Sequence, residues 1–170
     1  MVGLMGSGKT TTGRVLAARL GWPYLDNDVD LIRDTGKSAA ELAESGARTL
    51  HELESSRLFG LVAETPPFVA GVAASVADRL NDLELIRSSG LVVYLRATPE
   101  TLASRVERDD VTRPWVKGGA VEVLTSMLDA RGGVFTSIAD VVVDVDERSP
   151  HEAVGDILAA LQLSPASPST

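Results

Sequence analysis

The chain has 170 residues, 44% of them hydrophobic and 24% charged, with a formal net charge of −8 at pH 7. That length suits one compact domain with a real core, and a pI near 4.7 argues against a nucleic-acid groove, which needs lysine and arginine in excess. No apolar run reaches the ~18 residues of a membrane helix, and no basic, apolar leader opens the chain. With no cysteine present, disulfides, thiolate nucleophiles and cysteine-bound zinc are excluded; the expectation is a cytoplasmic monomer that binds a small molecule, not nucleic acid or membrane.

In chain order the first signal is the strongest. Gly3-Leu4-Met5-Gly6-Ser7-Gly8-Lys9-Thr10 matches G-x-x-x-x-G-K-[ST] in full, with an added glycine at position 6. Glycines let the backbone aim its N–H groups at phosphate oxygens, and the following helix adds its positive end. Lysine reaches the β/γ-phosphates, and the threonine hydroxyl ligates Mg²⁺. Gly3, Gly6, Ser7, Gly8, Lys9, Thr10 and Thr11 are therefore the nucleotide-binding candidates, with ATP and Mg²⁺ as the implied cofactors. Only Met1 and Val2 precede Gly3, whereas such a loop ordinarily follows a buried strand of about five residues. Either the first strand is truncated in this chain or the start lies upstream.

A helix is expected over 9–20, and Trp22-Pro23-Tyr24-Leu25 then reads as a short strand ending at Asp26-Asn27-Asp28. Residues i and i+2 of a strand share a face, so both carboxylates can enter one cleft. Asp26 is the candidate to hold Mg²⁺, and Asp28 the candidate to accept a proton from an acceptor hydroxyl. The competing reading is an Asx-rich turn capping the next helix. Helices follow over 29–35, 38–46 and 47–64, a strand over 67–73 and a helix over 76–88.

The strands over 90–96 and 140–146 carry nearly continuous apolar residues, Leu91-Val92-Val93-Tyr94-Leu95 and Val141-Val142-Val143, the pattern of central strands covered on both faces. Between them come a helix over 98–108, a polar lid over 109–119 and a helix over 120–132. Arg113 in the lid is placed to stabilise charge on a transferred phosphoryl group; Arg105 and Arg108 are candidates for contacting the nucleotide. Ser149-Pro150-His151-Glu152 starts a helix over 150–161 with a serine cap and proline at the first position, and residues 164–170 read as a frayed tail of one domain covering 1–163. The alternation of short apolar runs with amphipathic ones is that of βαβ units around a mostly parallel sheet.

With the phosphate loop, the Asp26-x-Asp28 pair, the run 31–36 and Arg113-Pro114 in this order, the chain resembles the shikimate kinases, of the nucleoside-monophosphate-kinase-like P-loop group. Most alike are 3–17, 25–38 and 139–161. The resemblance implies a three-layer α/β/α fold of P-loop kinase type with a five-stranded, mostly parallel sheet, and transfer of the ATP γ-phosphoryl group to the 3-hydroxyl of shikimate. It gives Lys9 to the phosphates, Thr10 and Asp26 to Mg²⁺, Asp28 to the acceptor, Arg113 to the lid and Arg131 to the shikimate carboxylate.

Two departures stand out. Where the family has an arginine ahead of a helix glutamate, this chain has His51 ahead of Glu54; histidine carries little charge at neutral pH, so half of a carboxylate clamp is missing, and Arg48 or Arg57 could compensate. Where the family has three glycines, this chain has Gly71-Val72-Ala73, and side chains at 72 and 73 are expected to intrude on the acceptor. His51 and Gly71 join Asp28 and Arg131 as substrate-binding candidates. The alternatives to a shikimate kinase are a same-fold kinase of another small hydroxylated metabolite, such as a sugar acid, and a nucleotide-binding module without turnover.

Overall fold

A computed structural model describes residues 1–26, 35–37, 41–42, 46–108 and 119–162. The expected helices over 29–35 and 38–46, the lid and the tail lie largely or wholly outside the described residues, as do Asp28 and Arg113.

The first helix, α1 (Lys9–Leu20), starts directly on the glycine-rich loop and is closed by Gly21, whose N–H reaches the carbonyls of Ala17 and Ala18. It buries Leu16, Ala17 and Leu20 and returns the chain to β1 (Tyr24–Asp26). After α2 (Ala47–Val62) come β2 (Val69–Gly71), a 3-10 helix (Ala74–Asp78) and α3 (Leu80–Ser89). Next are β3 (Val93–Arg96), α4 (Pro99–Arg108), α5 (Ala120–Ile138), β4 (Val141–Asp144) and α6 (Pro150–Leu161). The capping signals act as expected: Ser149 and Glu152 satisfy each other's backbone N–H groups in a capping box, with Pro150 at the head of α6.

Two parallel strand pairs form. Tyr24, Leu25 and Asp26 lie opposite Val69, Ala70 and Gly71 in one, and Val93 to Arg96 lie opposite Val141 to Asp144 in the other. Met1 and Val2 stand between the pairs. The Met1 amino group donates to Ala70 O (2.6 Å), and Val72 N donates to Met1 O (3.2 Å). On the other side Val2 N donates to Val93 O (2.8 Å) and Leu95 N to Val2 O (3.0 Å). Both strand pairs are thus parallel and run toward the loop end of α1. The core gathers Val2, Leu4, Leu16, Leu58, Tyr94, Leu95, Leu124, Phe135, Val154 and Ile157. Tyr94 and Phe135 are tilted ring on ring, with centroids 5.3 Å apart.

Four expectations change. The five-stranded sheet is not drawn as such: among the described residues four strands pair two by two. β3 is central, but β4 is not, because Val142 and Asp144 are exposed while Val143 is buried, the alternation of a strand with one open face. The helix over 76–88 is broken: a 3-10 turn ends at Asp78, Arg79 is extended (φ −134°, ψ 116°), and α3 begins at Leu80. Finally, α5 runs through Gly132-Gly133 to Ile138, because each glycine costs a helix only about 1 kcal/mol and Phe135 and Ile138 beyond them are buried.

Candidate active site

The loop after Val2 coils tightly because Gly6 (φ 77°) and Gly8 (φ 86°) adopt left-handed backbone, a region that costs other residues about 1 kcal/mol or more. Gly6 is also squeezed: a Cβ there would lie 2.8 Å from Leu102 O of α4. The Lys9 ammonium folds across the loop and donates to Gly3 O (2.9 Å) and Leu4 O (3.1 Å). Ser7, 2% exposed, holds a hydroxyl with no hydrogen-bond partner, the one such buried side-chain atom among the described residues. A buried hydroxyl without a partner is costly. In the wall of a nest of backbone N–H groups at a helix N-terminus it fits a phosphate oxygen.

Beside the loop, Thr10 Oγ1 donates to Asp26 Oδ2 at 2.9 Å, so the two expected Mg²⁺ ligands are brought together. A hydroxyl and a carboxylate are the hard oxygen donors that this ion takes. Tyr24, which sequence reasoning assigned to the strand alone, donates its phenolic hydrogen to the same Asp26 oxygen at 3.1 Å. Burial, then the Asp26 charge, push the Tyr24 hydroxyl well above the ordinary tyrosine range, so it stays a donor.

Arg105 ties the loop to the segment after β4. Its guanidinium donates to Val145 O (2.6 Å), Asp146 O (3.3 Å) and Gly6 O (3.4 Å). Beside it a cleft of about 190 Å³ is lined by Ser7, Gly8, Thr11, Arg105, Arg148 and Pro150, among others. Thr11 and Arg105, two of the nucleotide-binding candidates, both line it. Arg148 and Pro150 line it too, though the sequence singled out neither for a site: Pro150 had a sufficient reason as a helix starter.

Past the end of β2, His51 and Arg131 are both tied to the 3-10 turn. Arg131 of α5 forks onto Asp78, Nε to Oδ1 at 2.9 Å and Nη2 to Oδ2 at 2.5 Å. The next residue, Arg79, donates to His51 O at 3.3 Å and lies 4.0 Å from Asp82. Below them Ser75 donates to the buried Glu54 and Ser55 to the buried Asp82 at 2.6 Å. Two consecutive residues therefore join His51 and Arg131, and no spacing in the sequence signalled it. Val72 does not intrude as expected: it is 6% exposed and packs within the main core. Gly71 faces the Tyr24 hydroxyl, which would lie 2.4 Å from a Cβ at that position.

Parallel strands feeding a phosphate nest, with a hydroxyl–carboxylate pair at its edge, define a P-loop kinase. A profile of shikimate kinases matches residues 5–162. The shikimate kinase of Enterococcus faecalis is 32% identical over 164 residues, 95% of this chain and 96% of that protein. The Pseudomonas paraeruginosa enzyme is 34% identical over 167 residues, 97% and 96%. Among solved structures, the Acinetobacter baumannii shikimate kinase in complex with shikimate superposes with a TM-score of 0.89 at 27% identity, covering 95% of this chain and 90% of that one. The chain belongs to the shikimate kinase family.

Proposed function

We propose that this chain transfers the γ-phosphoryl group of ATP to the 3-hydroxyl of shikimate. The observation that carries the reading is the Thr10–Asp26 contact at the edge of the phosphate loop, in a chain matched by the family over residues 5–162. Thr10 and Asp26 would hold Mg²⁺, which when bound neutralises charge on the β- and γ-phosphates. Lys9 exchanges its carbonyl partners for phosphate oxygens. Asp28 takes the proton of the acceptor hydroxyl as its oxygen attacks the γ-phosphorus, the bond to the bridging oxygen breaks, and ADP departs. Arg113, from a lid over 109–119, balances the charge spread over the equatorial oxygens and closes the site to water.

Arg131 would receive the acceptor carboxylate, with His51 and Gly71 beside it; Arg105, Thr11, Arg148 and Pro150 face the nucleoside. The reading includes a five-stranded parallel sheet between helix layers with Met1–Val2 as its middle strand, supported by the hydrogen bonds those residues make to both strand pairs. It also includes one domain over 1–163 acting as a cytoplasmic monomer; among the described residues no helix is long and apolar enough to cross a membrane.

One observation favours a second acceptor. The Arg131 fork is filled from within by Asp78, and no arginine stands at position 51. A same-fold kinase of another hydroxylated metabolite, such as a sugar acid, is the competing reading. The test is an ADP-release assay with shikimate and a panel of small hydroxy acids and sugars, the product located by ³¹P NMR. Shikimate should give the highest kcat/KM. A better acceptor would replace it in the reading, and ATP binding with no turnover on any of them would leave a nucleotide-binding module.

A further inference from the structure

Tyr24 is held by three neighbours whose arrangement packing alone does not require. A Cβ on Gly13 of α1 would lie 2.4 Å from its Cε2, and one on Gly71 of β2 would lie 2.4 Å from its hydroxyl oxygen. Real Cβ atoms do not approach so closely, so glycine on each side clears the space that the ring and its tip occupy. The Arg14 guanidinium stands over the ring, 5.9 Å from its centroid. Phenylalanine would fill the ring's space equally well. What the hydroxyl adds is its hydrogen bond to Asp26 Oδ2, the atom that also accepts from Thr10. Tyr24 and Asp26 share one face of β1, and Gly71 is the register partner of Asp26 in β2.

We propose that Tyr24 is a positioning residue: its hydroxyl holds the Asp26 carboxylate against Thr10 in the orientation that receives Mg²⁺, and position 71 is glycine because that hydroxyl needs the space. This rests on the reading of Thr10 and Asp26 as the metal-holding pair. Asp26 can rotate about two side-chain bonds. Donors from Thr10 and Tyr24 converging on one oxygen restrict both, leaving the other oxygen's direction defined, as partners behind a metal ligand do. The carboxylate at the metal site is then linked by one atom to the strand that leads to the acceptor turn, so β2 and the metal ligand are set together.

The test is binding of a non-hydrolysable ATP analogue by calorimetry across a Mg²⁺ series, alongside thermal unfolding. Tyr24→Phe should raise the Mg²⁺ needed for half-maximal binding about three- to tenfold, with metal-free nucleotide affinity and unfolding midpoint unchanged. Gly71→Ala should lower the unfolding midpoint in the parent and be relieved in the Tyr24→Phe background, where the nearest remaining ring atom would lie 3.4 Å from the new Cβ, an ordinary contact. Asp26→Asn is the control. If it weakens the Mg²⁺ dependence and Tyr24→Phe does not, the positioning role is wrong while the metal pair stands. If neither does, the metal-pair reading goes and the proposal with it. Equal damage from Gly71→Ala in both backgrounds overturns the account of Gly71.

Discussion

Replacing Asp78 by asparagine removes the charge that fills the Arg131 fork while keeping the shape and one acceptor oxygen. In the parent, an acceptor's carboxylate must displace that of Asp78, giving up two charge-assisted hydrogen bonds of 2.9 and 2.5 Å. Hydrogen bonds to charged groups contribute about 1.5–3 kcal/mol when well buried, whereas exposed ion pairs contribute about 0.2–1 kcal/mol. The Arg131 and Asp78 side chains are 16% and 35% exposed, so the pair falls between, and about 1 kcal/mol is the figure to work with. As 1.4 kcal/mol is tenfold in affinity, Asp78→Asn should lower the KM for a carboxylate-bearing acceptor about fivefold. Because Asp78 touches neither the phosphate loop nor Asp26, kcat should stay within about twofold and the KM for ATP should not move. Steady-state ADP release at saturating MgATP reads all three. A KM for shikimate that is unchanged or higher in the variant would refute the argument, since Asp78 would then be supporting Arg131 instead of competing for it.

The other expectations are shorter. Lys9→Met should cut turnover by about 10²-fold or more and leave the unfolding midpoint nearly in place; activity near the parent level would remove Lys9 from the chemistry. Phe135→Ala deletes a fully buried ring packed on Tyr94 and should cost about 3–5 kcal/mol in urea unfolding; a loss below about 1 kcal/mol would mean that the pair is not part of the core. The Arg96 fork holds the Asp144 carboxyl below its usual range. Its folded value lies below its unfolded one, so the pair's stabilisation is present above about pH 4 and is lost as pH falls through the folded value. Both side chains are about half exposed, which limits the effect to about 0.5 kcal/mol. The acid-induced drop in unfolding midpoint should be slightly shallower in Asp144→Asn, and identical curves would discard the pair.

The parts of this molecule that declare themselves in the sequence are those whose physics is local. The loop from Gly3 to Thr10 is legible because phosphate binding demands glycines, a lysine and a hydroxyl at fixed offsets, and the start of α6 because Ser149, Pro150 and Glu152 satisfy one another within four residues. The meeting of Asp26 with Thr10 was foreshadowed by the position of Asp26 close behind the loop helix. The partners of Arg131 and His51 were not. Arg131 meets Asp78 across 53 residues and Arg79 meets His51 across 28, and such contacts leave no periodic trace. The same reason hid the break at Arg79: residues 76–88 read as one helix until the neighbours that hold Asp78 and Arg79 are known. Tyr24 was hidden differently, because its aromatic ring explained its presence in a strand and left nothing to call attention to the hydroxyl. Gly71 was a substrate-binding candidate from its sequence context, and nothing there signalled that the tip of a tyrosine also stands against it.

Asp78 and Arg79 are peptide neighbours that reach in different directions, one to α5 and one to α2. They act as a yoke. Any shift of α5 against α2 would have to break one of these contacts or bend the turn that carries both.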